Sequence, residues 1–569
     1  MITADDLEFY AKMGIISNED YKKLKSREIS DCVGLPTLCS EERQRRRLAW
    51  RNERKFYARK CDLCEKNIIS IYDKNAEFPV YCQDCWWSDK WDAKNFSRDF
   101  DFSRPFFEQF AELQKVVPRL SLVNKNSENS LYTNHSANNK NCYLATVTFD
   151  SEDIYYSDFI LEHCIDCVDC SYLFAGSELC YEVYYAWSSY NCLFSEFIRR
   201  CSDLWFCYDC INCRNCFMCS NLRNKEFCIK NKQYTKQEYE KIMSEILPMT
   251  YSKLEEFKKK SREFKKNSPH RSTYQINTES STGNNLFNTK NCQNCFDSVE
   301  MEDCDFCTDI TDMQDSKDVY HAGWSQLIYN SHAIANGFNV FFCNFSYDNK
   351  DIYYCDLVHN NHDLFGCVGL VHNKYCILNK QYTKEEYEKT SEKIIEHMKK
   401  TGEWGKFFSS NITPFAYNET IAQEYYPLTK EKAESLGYRW KEKISRDFRL
   451  ATIDKIPDDI KDVDDSICRE ILACENDLIP RPLLEGEGAK KCGKNYQIQK
   501  PELRFYRKMN LPIPRECPDC RHADRMKLRN PRTLFKRSCS DCGKDIQTTF
   551  APDRPEKVLC EECYLKVVE

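Results

Sequence analysis

The sequence predicts a mainly β protein, with two short-period β-solenoid modules flanked by two zinc-ribbon modules and a few capping helices. Three observations support this fold class. A cysteine-rich module occurs at both ends of the 569-residue chain, a short sequence period runs through the middle, and one segment within the middle is repeated. A chain of this length is expected to form several structural units rather than one.

The two ends of the chain carry the same cysteine module. Residues 39–85 and 517–563 align without a gap at a constant offset of 478. Each copy has two C-x2-C pairs at the same separation, which is typical of a tetrahedral zinc site. We predict one structural zinc ion in each ribbon, with free thiols or redox pairs as the alternatives. The eight predicted ligands are Cys61, Cys64, Cys82, Cys85, Cys539, Cys542, Cys560 and Cys563.

A third metal site is a further hypothesis for the C-terminal half. Cys517 and Cys520 form another C-x2-C pair, which could combine with Cys474 and Cys492. The N-terminal copy has Glu42 at the position equivalent to Cys520, so this site cannot occur twice. The sequence therefore predicts two structural zinc ions and leaves a third open.

An arginine-rich arm precedes each ribbon. Arg43, Arg47 and Arg51 share one helical face, because each is four positions from the next. Arginine suits bidentate contact with phosphate, so the arms predict RNA or DNA binding. The alternative is ion pairing with the 89 acidic residues of this chain, whose net charge is −7. The predicted nucleic-acid-binding residues are Arg43, Arg47, Arg51, Arg54, Arg521, Arg525, Arg529 and Arg532.

The middle of the chain has a short period. Small or apolar residues recur at every twelfth position, at Cys292, Cys304, Ser316, Ile328, Val340, Ile352, Leu364 and Cys376. The series Cys142, Ile154, Cys167, Cys180, Cys192, Leu204, Cys216 and Cys228 follows the same period with two single insertions. Asn or Asp often precedes such a position, as at Asn141, Asp153, Asp166, Asn191, Asp203, Asn215, Asn291, Asp303, Asn339, Asp351 and Asp363.

This pattern predicts β-solenoids that turn at the polar residue and stack small side chains inside. A coil of one period and a coil of two periods fit it equally well, and a string of small metal knuckles is the alternative fold. Five cysteines at every third position, Cys207, Cys210, Cys213, Cys216 and Cys219, are predicted either to be stacked core thiols or to bind a further metal.

Helices are expected to seal the ends of the solenoids. Residues 221–241 and 369–389 are similar at an offset of 148, and each leads into a helix with Thr235 or Thr383 as its predicted N-cap. The predicted divisions are 1–95 (arm and ribbon), 96–135 (connecting segment), 136–250 (first solenoid with cap helix), 251–285 (linker), 286–402 (second solenoid with cap helix), 403–470 (connecting segment) and 471–569 (arm and ribbon).

The sequence also narrows the class of protein. Its first residues lack the basic and apolar regions of a signal peptide, and no apolar run is long enough to span a membrane. We therefore expect a cytoplasmic protein, whose 36 cysteines are metal ligands or buried thiols rather than disulfides. No phosphate loop, nucleophile elbow or zinc-protease motif is present, so no enzymatic activity is predicted.

Several motifs resemble those of an uncharacterised cysteine-rich zinc-ribbon family of small-genome candidate-phylum bacteria. They include PTLCSEERQRRRLAWRNER, WWSDKWDA, FSRPFFEQF and the repeated NKQYTKxEYEK. The resemblance covers nearly the whole chain but implies no activity and no catalytic residue. The leading hypothesis is a nucleic-acid- or ribosome-associated binding protein. The alternatives are a protein scaffold that uses aromatic solenoid faces, and metal storage or redox work by residues 207–219.

Overall fold

The computed structural model describes residues 2–442, 451–453, 455–476, 492 and 494–568. Within these ranges the chain is richer in strand than in helix. The helices are α1 (Ala4–Lys12), α2 (Asn18–Lys25), α3 (Ser40–Leu48), α4 (Gln83–Trp86), α5 (Phe106–Val116), α6 (Lys236–Ile246), α7 (Tyr251–Asn267), α8 (Lys384–Thr401), α9 (Ala422–Tyr425), α10 (Lys430–Ser435), α11 (Lys500–Met509), α12 (Pro518–Met526) and α13 (Glu561–Val568). Short 3-10 helices occupy Ala93–Phe96, Ser410–Ile412, Tyr417–Glu419, Ile460–Asp462 and Asp465–Arg469.

The chain forms two compact units that alternate along the sequence. Unit 1 comprises Met1–Ser121 and Tyr274–Lys441, and unit 2 comprises Leu122–Thr273 and Glu442–Glu569. The N-terminal arm and ribbon therefore belong with the second periodic stretch, and the C-terminal arm and ribbon belong with the first. This arrangement differs from the consecutive divisions expected from the sequence.

Unit 1 contains most of its strands in one sheet between residues 275 and 381, which is parallel except for its last strand and which we call the second stack. The strands of the unit are Tyr57–Lys60, Asn67–Ser70, Val80–Tyr81, Arg119–Leu120, Gln275–Glu279, Gly283–Lys290, Cys295–Asp305, Thr308–Ala335, Phe338–Phe341, Asn344–Tyr347, Lys350–Tyr353, Asp356–His359, His362–Phe365, Lys374–Ile377 and Lys380–Gln381.

Unit 2 contains the first stack, which we define as the strands between residues 124 and 233. The strands of the unit are Asn124–Lys125, Tyr132–Asn134, Ser136–Ala137, Tyr143–Thr148, Glu152–Tyr155, Asp158–Ile160, Ile165–Val168, Ser171–Phe174, Tyr184–Trp187, Tyr190–Leu193, Glu196–Arg199, Ser202–Trp205, Arg214–Phe217, Glu226–Ile229, Lys232–Gln233, His270–Arg271, Leu472–Ala473, Asn495–Tyr496, Phe535–Ser538, Asp545–Thr548 and Val558–Leu559.

Parallel strands in both stacks pair with a register step equal to one sequence period. In the first stack Leu204 lies opposite Cys216, and in the second stack Ile352 lies opposite Leu364. Where the sequence period has its insertions, the register step grows by one position, as between Asp158 and Ser171. The pairing thus follows one period per step and not two.

The backbone turns at residues with positive φ, which recur at every third position along most of each stack. All of the Asn and Asp residues singled out beside the periodic positions adopt this left-handed conformation, with φ between 49° and 57°. Asn and Asp tolerate it better than other non-glycine residues. Their side chains also bond between successive strands, for example Asn191 Nδ2 to Asp203 Oδ1 at 2.7 Å.

The spacing of the turns explains why the interior side chains are small. A turn at every third position of a twelve-position step leaves about four inward positions per step, so the enclosed space is narrow. Cysteine and serine fit this space, and their side chains bond to backbone groups there. Ser195 Oγ donates to the carbonyl of Leu193 at 2.9 Å and accepts the N–H of Cys207 at 3.0 Å.

Replacing Ser195 with alanine is expected to destabilise unit 2 by about 1–3 kcal/mol, because a buried N–H loses its acceptor. Ser188→Ala is the matched control, since that hydroxyl is exposed and bonds only to the carbonyl of Ala175. Urea denaturation of both variants measures the difference. Equal stability of the two variants would contradict a structural role for the interior hydroxyls.

The predicted cap helices are present. Thr235 and Thr383 are the N-caps of α6 and α8, each with a capping box completed by Glu238 or Glu386. Each helix packs on the last strands of its own stack. The segment 251–285, predicted as a linker, instead contains α7 and three strand segments, because a Thr250 N-cap and apolar contacts such as Leu254 stabilise a helix there.

Candidate metal centres and docking sites

The two ribbons have the same local structure. In each, the first C-x2-C pair lies between the two strands of an antiparallel pair, and the second C-x2-C pair begins a helix, which is α4 in the first ribbon and α13 in the second. Directly after the first C-x2-C pair the backbone turns at a residue with a positive φ, which is Glu65 in the first ribbon and Gly543 in the second. Glycine adopts this conformation without the strain that a side chain adds.

Each ribbon brings its four cysteines together, as the sequence predicted. The first ribbon cluster is Cys61, Cys64, Cys82 and Cys85, and the second ribbon cluster is Cys539, Cys542, Cys560 and Cys563; within each, all Sγ atoms lie within 4.8 Å of one another. The Cys64–Cys82 sulfur pair is 3.8 Å apart and the Cys542–Cys560 pair is 3.7 Å apart. Disulfide sulfurs would be about 2.05 Å apart, so these are not bridges.

Backbone N–H groups point at the sulfur atoms. The N–H of Cys82 donates to Cys61 Sγ at 3.3 Å, and the N–H of Cys560 donates to Cys539 Sγ at the same distance. Although burial opposes ionisation, such bonds lower the pKa of Cys61 to about 7 and that of Cys539 to about 6. In each ribbon one thiol is therefore shifted toward the thiolate form that binds metal, whereas burial raises the pKa of Cys82 and Cys85 in the first.

A third group of cysteines converges in unit 2. Cys474, Cys492, Cys517 and Cys520, which we call the arm cluster, also have all Sγ atoms within 4.8 Å of one another. The Cys474–Cys520 and Cys492–Cys517 sulfur pairs are each 3.7 Å apart. The four cysteines are thus close enough to hold a metal ion, as are the two ribbon clusters.

The run Cys207, Cys210, Cys213, Cys216 and Cys219 lies inside the first stack, where every member is buried. Their thiols donate to backbone carbonyls, as Cys207 Sγ does to Trp205 at 3.5 Å. Among the described residues, these thiols do not form a further group in which three ligand atoms converge. Their positions are those of core side chains, and metal binding by the run stays a prediction.

The N-terminal arm lies against the second stack. From α3, Arg43 Nε donates to Asp318 Oδ2 at 2.9 Å, and Arg47 Nη2 reaches Asp318 Oδ1 at 3.4 Å. Arg47 also donates to Asn330 Oδ1 at 2.8 Å. The side chains of Arg47 and Asp318 are fully buried.

The C-terminal arm makes the equivalent contacts in unit 2. From α12, Arg521 Nη1 and Arg525 Nη1 donate to the two carboxylate oxygens of Asp169 at 2.5 and 2.8 Å. The separation of Asp169 from Asp318 in the sequence is within one position of the offset between the repeated segments. Both arms therefore dock on one buried aspartate at the same place in each stack.

A second helix in each unit takes part in docking, and sequence reasoning missed it. Lys12 of α1 pairs with Asp315, and Lys508 of α11 pairs with Asp166, each three positions before the docking aspartate of its stack. Ring contacts join Tyr10 to Tyr329 and Tyr506 to Tyr181. The sequence pattern F-Y-x-K-M, which occurs at 9–13 and at 505–509, could have indicated this pair of equivalent helices.

The remaining predicted arginines are less uniform. Arg51 is fully buried and donates to Glu53 Oε1 at 2.5 Å. Arg54, Arg529 and Arg532 are half-buried, and Arg532 donates to Tyr172 at 3.1 Å. Of the eight predicted residues, Arg43, Arg47, Arg51, Arg521 and Arg525 are thus buried. Contact with nucleic acid through these five stays a prediction, and it would require each arm to leave its aspartate.

Comparison with protein-family models and with curated proteins found no match to this chain. Among the described residues, no helix has both the length and the apolar character needed to cross a bilayer.

Proposed function

We propose that this chain is a non-enzymatic, zinc-stabilised scaffold that presents two β-solenoids to a protein partner. The observation that carries the proposal is the duplicated docking of a cysteine-held terminal module on a parallel stack. The pairs at Asp318 and Asp169 use the arginines within the fold, which favours a structural role for the arms.

Support for the solenoid comes from the register step of one period and the turn at every third residue, which together describe a coil with four short sides. Support for zinc comes from the sulfur spacing. Zn–S bonds of about 2.3 Å place the sulfurs of a tetrahedron about 3.8 Å apart. The Sγ–Sγ distances of 3.7 and 3.8 Å in the three clusters agree with this value. A closed four-thiolate site has no open position for catalysis, so the proposed role is structural.

Exposed aromatic side chains on the second stack favour a protein partner. Trp324 and Phe338 have 62% and 40% of their surface exposed, and aromatic side chains are enriched at protein interfaces. Proximity labelling followed by reconstitution with the labelled protein would test this role. We expect W324A with F338A to weaken that complex about tenfold, and Val567→Ala on α13, an exposed apolar residue outside both stacks, to serve as the control. Unchanged affinity would contradict this use of the second stack.

A nucleic-acid- or ribosome-associated role is the second candidate, and one observation favours it. A shallow cavity on the first ribbon is lined by Arg59, Lys60 and Lys74, together with Ala58, Asp62 and Asn67. Lys60 and Lys74 are exposed there, whereas Arg59 pairs with Asp62. Exposed cations beside a concave surface suit phosphate contact.

Charge reversal of Lys60 and Lys74 to glutamate is expected to reduce RNA or DNA crosslinking roughly tenfold at physiological salt if this candidate is right. The matched control is K389E with K393E, because it changes the net charge equally on an exposed face of α8. Equal crosslinking of the two double variants would exclude the cavity as the contact.

A further inference from the structure

We propose that the arm cluster is a regulatory metal site, at which a thiophilic cation such as zinc controls the docking of α12 on the first stack. The ribbon clusters, in contrast, hold their own modules together. The inference rests on the metal-binding part of the proposed function and adds a sensing role to it.

The metal ligands and the docking residues belong to one short helix. Cys517 is the N-cap residue of α12, and Cys520 immediately precedes Arg521. Arg521 reaches Asp169 at 2.5 Å, a contact that a shift of the helix by a few ångströms would break. The position of the cluster therefore sets the position of the docking arginines.

The other two ligands come from a separate segment of the chain. Cys474 and Cys492 are half-buried, and neither belongs to a C-x2-C pair. They flank a strand pair of only two residues per strand, Leu472–Ala473 with Asn495–Tyr496. Leu472 and Tyr496 of this pair lie in the same buried apolar cluster as Cys517 and Cys520, so a metal ion would add a further link between the pair and α12.

Hydrogen bonds and an ion pair also join this strand pair to α12 and the segment before it. Tyr496 donates to the carbonyl of Pro514 at 2.6 Å, and the N–H of Glu475 donates to the carbonyl of Arg515 at 2.9 Å. Lys494 pairs with Asp519, but both side chains are nearly half exposed. Exposed pairs of this kind contribute little to stability.

The buried ion pairs alone do not guarantee docking. Asp169 is fully buried and the arginines that bind it are 3% exposed, so desolvation offsets much of their attraction. A metal ion at the arm cluster would therefore add binding free energy that these ion pairs do not supply.

In unit 1 the equivalent helix is also held by apolar contacts at its C-terminal end. Beyond the arginines of α3, Leu48 and Ala49 pack against Tyr417, Ile421 and Ala422 of the segment that follows α8. At the equivalent positions near the end of α12, Met526 and Leu528 remain half-buried and Lys527 is exposed. Unit 1 also has Glu42 in place of Cys520, and its Cys39 is exposed.

Hydrogen–deuterium exchange of the full chain tests the inference, with α3 as the internal reference. In Cys492→Ser we expect the zinc content to fall by one ion per chain and the amides of α12 to exchange about tenfold faster, while those of α3 are unchanged. Cys64→Ser in the first ribbon is the matched control, because it should also lose one zinc ion but leave α12 protected.

A chelator titration of the unaltered protein covers the case in which Cys492→Ser does not fold. Loss of α12 protection in step with release of one zinc ion supports the inference. Unchanged α12 protection after that release overturns it, and so does equal loss of protection in α3 and α12. A purified chain without zinc would overturn the zinc part of the proposed function itself, which separates the two failures.

Discussion

Replacing Cys560 with serine is expected to release the zinc ion of the second ribbon cluster and to unfold that ribbon. The buried apolar residues of this ribbon are Cys539, Phe550, Val558, Leu559, Cys560, Cys563 and Tyr564, so three of the seven are proposed metal ligands. Without the metal, little apolar surface remains to hold the strands together. Structural zinc in small peptides contributes about 10–16 kcal/mol of apparent binding free energy at pH 7.

Elemental analysis and hydrogen exchange measure the effect together. We expect the zinc content to fall from three ions to two per chain and the strand pair Phe535–Ser538 with Asp545–Thr548 to lose its protection. Cys228→Ser is the control, because Cys228 is a buried thiol of the first stack and not a ligand. A ribbon that stays protected after losing one zinc ion would show that the cluster does not stabilise it.

Replacing Asp169 with alanine is expected to destabilise unit 2 by about 3–5 kcal/mol, because two buried arginines lose their common carboxylate. Arg521 and Arg525 are both 3% exposed and would keep their charge without this partner. The stability of the first stack can be followed by hydrogen exchange of its central strands. We expect faster hydrogen exchange in these central strands and in α12.

Asp166→Ala is the matched control for this substitution. Its carboxylate pairs with Lys508 across the same interface, but the Asp166 and Lys508 side chains are 29% and 53% exposed. A surface pair of this kind contributes about 0–1 kcal/mol. If both alanine variants lower the free energy of unfolding of unit 2 equally, burial of the arm would not explain the role of Asp169.

Much of the local structure could be predicted from the sequence, since it depends on residues that are near one another in the chain. The spacing of the ribbon cysteines predicts two four-cysteine clusters, and both form. The sequence period equals the register step between strands. The N-caps at Thr235 and Thr383 are confirmed for the same reason, because capping joins a side chain to a backbone group within the first helical turn.

Other features could not be predicted, because they depend on pairings between distant segments. The sequence allowed a third site at Cys474, Cys492, Cys517 and Cys520 but did not require it, because its ligands are not paired in the pattern of the ribbons. The sequence likewise did not determine what the arginine-rich arms contact. A row of arginines has the same spacing on a helix whether it binds phosphate or a buried carboxylate.

The sequence by itself determined the repeating turn, the small interior side chains and the cysteine clusters of the ribbons. Tertiary structure alone decided that the N-terminal module packs with the second stack and the C-terminal module with the first. Each stack offers an aspartate at the same position, and each arm offers arginines at the same spacing, so local chemistry allows either pairing. The choice between them depends on the packing of each whole unit, which no short-range pattern records.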